Sequence, residues 1–91
     1  IVLNFPLYHL NRRSEILKWK KYTSYKKAKD VTQCLYVFVK GKNYLYVGKA
    51  KQFGGASGRY AIGYRHLVDS LFESGVCVYI ADLNKVQWKH V

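Results

Sequence analysis

Methionine is absent from this chain, proline occurs once, cysteine twice, and only five of its 91 residues are acidic. Each scarcity narrows the field. The two cysteines, Cys34 and Cys77, sit in separate β-like apolar runs, too far apart in sequence to form a metal-ligand pair, and read as buried thiols of a reducing compartment. The single proline, Pro6, lies in "IVLNFPLYHL", an irregular or extended lead-in. No apolar run approaches the ~18 residues of a membrane span and no signal peptide opens the chain, so no membrane partner is expected. The expected location is intracellular, either cytoplasmic or in a nucleoid or nucleus. The missing methionine and the start at Ile1 lead us to expect part of a longer protein.

What is abundant is positive charge. Sixteen Lys and Arg against five Asp and Glu leave a net charge of +11, and a bias of that size toward one sign points to a polyanionic partner, nucleic acid first. A membrane surface would instead ask for lysines on one face of an amphipathic helix with bulky apolar residues opposite. A chain of this length builds one modest core, not two. No small-molecule cofactor is evident.

Residues 1–30 read as a basic N-terminal extension, partly helical: Ser14 is a candidate N-cap, followed by Glu15, Ile16, Leu17, Trp19 and a lysine-rich end. In "KKYTSYKKAKD" the lysines alternate with Tyr22 and Tyr25, as either a solvated linker or a phosphate-contacting arm. Residues 31–91 read as the folded core. Segments 33–39 and 44–48 are β-like, with "KGKN" as the hairpin turn. Leu35, Val37, Val39, Leu45 and Val47 share one parity, and Tyr36, Phe38, Tyr44 and Tyr46 the other. Pairing Val39 with Asn43 sets Tyr36 opposite Tyr46, with the aliphatic face turned to the core and the phenolic face left open.

A glycine-rich loop, "KQFGGASGRY", precedes a helical pattern from about Gly58 to Glu73. Tyr60, Tyr64, Leu67, Val68 and Leu71 fall on one face of it, with Ala61 and Phe72 on the edge, and Gly75 follows as a stop. Segment 76–83 reads as a third strand, and the last residues run toward another helix. The expected fold is α+β: a three-stranded antiparallel sheet, from the hairpin 33–48 and the strand 76–83, flanked by helices.

Neither glycine cluster is a nucleotide-binding motif. Around Gly48-Lys49 the P-loop positions hold Asn43 and Ala50, and "GGASG" is not G-x-G-x-x-G. However, "CLY", then "YVG" about ten residues on, continuing as "YVGKAK" to a loop and an arginine, resembles the GIY-YIG nuclease superfamily over about Gln33 to Leu83. That resemblance implies a metal-dependent endonuclease acting on DNA. By position, Tyr36 matches the first-motif tyrosine, Tyr46 and Gly48 the second motif, and Lys49 the lysine after its glycine. Arg59 matches the helix-opening catalytic arginine, with Arg65 as competitor.

The implied chemistry has Tyr36 activating or aligning water, its phenol tuned by Lys49 and Arg59, with Tyr46 positioning water or phosphate and Arg59 gripping the phosphate. His66 lies on the same helical stripe as Arg59, within reach of such a phosphate. Lys40, Lys42, Lys51 and Arg65 are the expected DNA contacts. The resemblance also implies one Mg²⁺ or Mn²⁺, held by a glutamate on a helix after the third strand. Nothing after Leu83 is acidic, so the core is expected to be truncated before that ligand, or to be a degenerate copy that binds without cutting. The competing expectations are a non-catalytic DNA- or RNA-binding module and, more weakly, a domain that meets acidic proteins.

Overall fold

The runs on either side of "GK" contain too many β-branched and aromatic residues to fold apart, and they pair as a long antiparallel hairpin. The computed structural model describes residues 17–90; the expected cap at Ser14 and the lead-in 1–10 lie outside that range. In chain order the elements are β1 (Trp19–Tyr22), α1 (Tyr25–Ala28), β2 (Thr32–Lys40), β3 (Asn43–Gln52), a 3₁₀ turn (Ile62–Tyr64), α2 (Arg65–Glu73), β4 (Val76–Asp82) and α3 (Lys85–His90). They form an α+β fold around one antiparallel sheet in the order β1-β4-β2-β3.

Among the described residues the sheet has four strands, not the expected three. Trp19–Tyr22, read as the end of an N-terminal helix, is strand β1, with Trp19 opposite Ala81 and Tyr22 opposite Val78. Trp and Tyr are strand formers, and β4 would otherwise leave a row of backbone donors and acceptors without partners. The lysine-rich segment thereby enters the fold: Tyr25 and Ala28 of α1 are fully buried.

The hairpin register also departs from expectation. Lys40 pairs with Asn43 across a two-residue turn, a bulge falls after Phe38, and beyond it Phe38 faces Tyr46 and Tyr36 faces Gly48. The bulge supplies the extra residue on β3 that moves the pairing by one. Tyr44 therefore stands opposite Val39, on the face away from Tyr46, whereas parity alone placed the two together.

The phenolic face, expected to be open, is the main core. Ala28, Cys34, Tyr36, Phe38, Ala50, Phe53, Val76, Val78 and Ile80 form one cluster there, with Tyr22, Tyr60 and Phe72 packed on it. Four rings, Tyr36, Phe38, Phe53 and Tyr60, lie 5.2–6.3 Å apart between centroids, mostly edge to face. Such pairs add ~0.5–1.5 kcal/mol each beyond burial of their area. The aliphatic set Leu35, Val37 and Val39 is buried as well. β2 has a strand on each side and cover on both faces, so parity could not say which face was inside.

The helix expected over 58–73 is shorter. Amides of Arg59, Tyr60 and Ile62 bond the carbonyls of Gln52, Phe53 and Gly55 at 2.8–2.9 Å, so this segment is tied back to the end of β3 and cannot wind. Within α2, Val68 is buried and Phe72 packs on the core. Tyr64, Leu67 and Leu71 are exposed, so the buried stripe is rotated from the expected one. Gly75 ends the helix as expected, at φ +95°, where a side chain would be strained.

α3 begins with a reciprocal cap. The Gln87 amide donates to Asn84 Oδ1 at 2.8 Å, and the Asn84 amide donates to Gln87 Oε1 at 2.9 Å, which satisfies two of the helix's free donors at once. Asn84→Ala should cost about 1 kcal/mol, read as a lower denaturation midpoint.

Alkali should limit stability. Burial, then the charge of Asp82, raise the Cys34 thiol from 9.0 to about 11, against a backbone hydrogen bond at Ala50 that lowers it. Burial also pushes the Tyr36 phenol well above its ordinary 10.0. The fold holds both groups protonated, so their contribution is complete below pH 9 and is lost as pH climbs from 9 through the raised values. Denaturant midpoints should hold steady from pH 7 to about 9 and fall above it. Cys34→Ala should flatten the first part of that fall.

Candidate functional site

The site lies where the end of β3 meets the segment folded back on it. Tyr36 points from β2 across Gly48, and the approach is so close that a Cβ built at position 48 would sit 2.6 Å from Tyr36 Cζ. This accounts physically for the glycine of "YVG": the tyrosine ring occupies the space of a side chain. The Tyr46 ring lies 6.2 Å from that of Tyr36 on the same side. Tyr46 is 51% exposed and Tyr36 only 1%.

Arg59 completes the group. Its backbone is fixed by the bond to Gln52, its guanidinium lies 5.1 Å from the Tyr60 ring centroid, and Tyr36, Tyr60 and Tyr46 are its electrostatic neighbours. The neighbouring Tyr36, then Tyr60, raise its already high pKa, so the exposed cation keeps its charge. Tyr60 donates its hydroxyl to Tyr36 Oη at 3.3 Å. Three phenols and one guanidinium thus meet at the surface end of the aromatic core.

The electrostatics reverse one expectation. Arg59 does favour the Tyr36 phenolate, but burial outweighs it, and the phenol is held protonated. Lys49 is not among the causes. Its ammonium lies 4.4 Å from the Trp88 ring centroid and donates to the Trp88 carbonyl at 3.2 Å. Of the Tyr36 and Tyr46 phenols, Tyr46 carries the accessible hydroxyl.

The remaining expected residues divide. Lys51 lines a cleft of about 300 Å³ at the β3 edge together with Lys49, Gln52, Ser57, Arg59 and Trp88. Arg65, the competitor for the arginine role, is occupied elsewhere: its Nε meets Asp69 at 3.4 Å and its guanidinium lies 5.9 Å from the Tyr25 ring. His66, next to it on α2, is exposed, and its side chain makes no hydrogen bond or ion pair among the described residues. Lys40 and Lys42 are exposed at the hairpin turn, and Lys42 is roughly 24 Å from Lys49 along the strand.

The chain matches no family model, no curated protein and no solved structure.

The divalent cation implied by the sequence resemblance does not fit the residues described. No three His, Cys, Asp or Glu side chains among them are grouped to hold a metal ion. The phenol–guanidinium cluster contains no carboxylate, and α3 reads Lys, Val, Gln, Trp, Lys, His.

Two contributors escaped the sequence reading. Tyr25, placed in a linker or arm, is buried; its hydroxyl donates to the Tyr60 carbonyl at 2.7 Å and accepts from the Gly55 amide at 3.1 Å. It pins the segment that carries Arg59. Trp88 had no assigned role. Neither left a motif, because both act through contacts dozens of residues away. Tyr25→Phe should cost about 1–2 kcal/mol and loosen the loop, seen as faster hydrogen exchange at the Arg59 and Tyr60 amides.

Proposed function

We propose that this chain is a DNA endonuclease domain whose phosphodiester-binding centre is the Tyr46–Arg59 pair. The observation that supports it best is the exposed Arg59 guanidinium, which neighbours Tyr46 and lines one cleft with Lys49 and Lys51. Arg59 donates to the non-bridging oxygens as negative charge builds on phosphorus, where a fixed cation stabilises the transition state more than the ground state. Water attacks phosphorus, and its proton passes to the Tyr46 hydroxyl, which releases its own proton to solvent. The P–O bond to the leaving oxygen breaks, and that oxygen takes a proton from solvent. Tyr36 and Tyr60 pack beside the pair and hold it in place.

The test is incubation of the protein with DNA and Mg²⁺, scored by new strand ends. Cutting that Arg59→Ala and Tyr46→Phe abolish supports this function. DNA binding with no cutting under any divalent cation overturns hydrolysis and leaves the second reading, a nucleic-acid-binding module. A separate observation favours that second reading: a basic hollow at the opposite sheet edge, formed by Lys20, Lys21, Tyr22, Thr23 and Lys27. It stands three strand spacings, ~14 Å, from β3. Under either reading the affinity is steeply salt-dependent. The three cleft cations predict a slope of log Kd against log salt of about 2 on single strands, and Arg59→Ala should remove ~0.7 of it.

A further inference from the structure

The cleft beside Arg59 contains an aromatic ring as well as cations. Trp88 is half-buried in its wall, and the Lys49 ammonium lies over the indole, 4.4 Å from the ring centroid. About 300 Å³ is at the lower end of small-ligand sites, with room for one base and its sugar. A flat ring next to phosphate-binding cations is the arrangement by which proteins hold unpaired strands, because every base has a π-face to stack.

We propose that Trp88 stacks an unpaired base, so that the cleft takes single-stranded or locally unpaired DNA in preference to continuous duplex. The entering base displaces the Lys49 ammonium from the indole, and Lys49 turns to the adjoining phosphate. This specificity rests on the reading of Arg59 as the phosphate ligand. Duplex DNA cannot make the contact, since its bases are already stacked on one another.

The test uses Trp19→Phe protein, in which Trp88 is the sole tryptophan. Three probes of equal length are titrated at low salt: a single strand, its duplex, and a backbone carrying abasic sites throughout. The single strand should quench Trp88 fluorescence and bind about tenfold tighter than the abasic backbone, the factor expected for one stacked base. Trp88→Leu, which keeps apolar bulk without the π-face, should erase that difference, whereas Arg59→Ala should weaken both probes alike. Equal binding of single strand and abasic backbone with unquenched fluorescence overturns the stacking role and leaves the phosphate site standing. So does a difference that survives Trp88→Leu. Failure of all three probes to bind removes the nucleic-acid reading and this proposal together.

Discussion

Arg59→Ala is expected to slow DNA cleavage by ~10²–10³-fold, the usual cost of removing one preorganised donor from a developing oxyanion. Binding should weaken only a few-fold, because Lys49 and Lys51 remain in the same cleft. Arg59→Lys should recover charge but not the planar fork, leaving activity between the two. Arg65→Ala is the matched control: its guanidinium is engaged with Asp69 and the Tyr25 ring, so the rate should stay close to that of the unaltered protein. A reversed ranking, with Arg65→Ala inactive and Arg59→Ala active, would place the phosphate on α2 and dismiss the Tyr46–Arg59 pair.

Gly48→Ala should be strongly damaging for a single added methyl group. The new Cβ would overlap Tyr36, which is boxed in by Phe38, Phe53 and Tyr60 at 5.5–5.8 Å and has no free direction in which to retreat. Overpacking of this kind costs ~1–3 kcal/mol. For a domain of this size that is a loss of about 5–20 °C in Tm. Cleavage should fall further than stability, since a displaced Tyr36 carries Tyr46 and Tyr60 with it.

Tyr36→Leu removes the ring, so Gly48→Ala added to it should cost markedly less than Gly48→Ala alone, a coupling that a double-mutant cycle measures. Full additivity would mean the ring and the glycine do not meet.

The hairpin, the strand at 76–82 and the helix stop at Gly75 were legible because each depends on neighbours in sequence: β-forming composition, a turn dipeptide, one residue able to take a positive φ. The Asn84-x-x-Gln87 cap was equally local and could have been read as the start of α3. Parity placed Tyr36 and Tyr46 on one side of the sheet, and the structure has them there, 6.2 Å apart. The same argument misplaced Tyr44, because a bulge is a single inserted residue that leaves no periodic trace.

By itself the sequence determined an α+β chain with a basic surface, a tyrosine-bearing hairpin and a short set of cations any phosphate site would draw on. Only the tertiary structure decided that β1 closes the sheet, that the tyrosine face is the core, and that Arg59 rather than Arg65 stands beside the phenols. Those outcomes depend on what covers each face and on backbone bonds from residues 59–62 back to 52–55. Such long-range contacts are chosen by the packing of the whole domain, and no short window of residues encodes them.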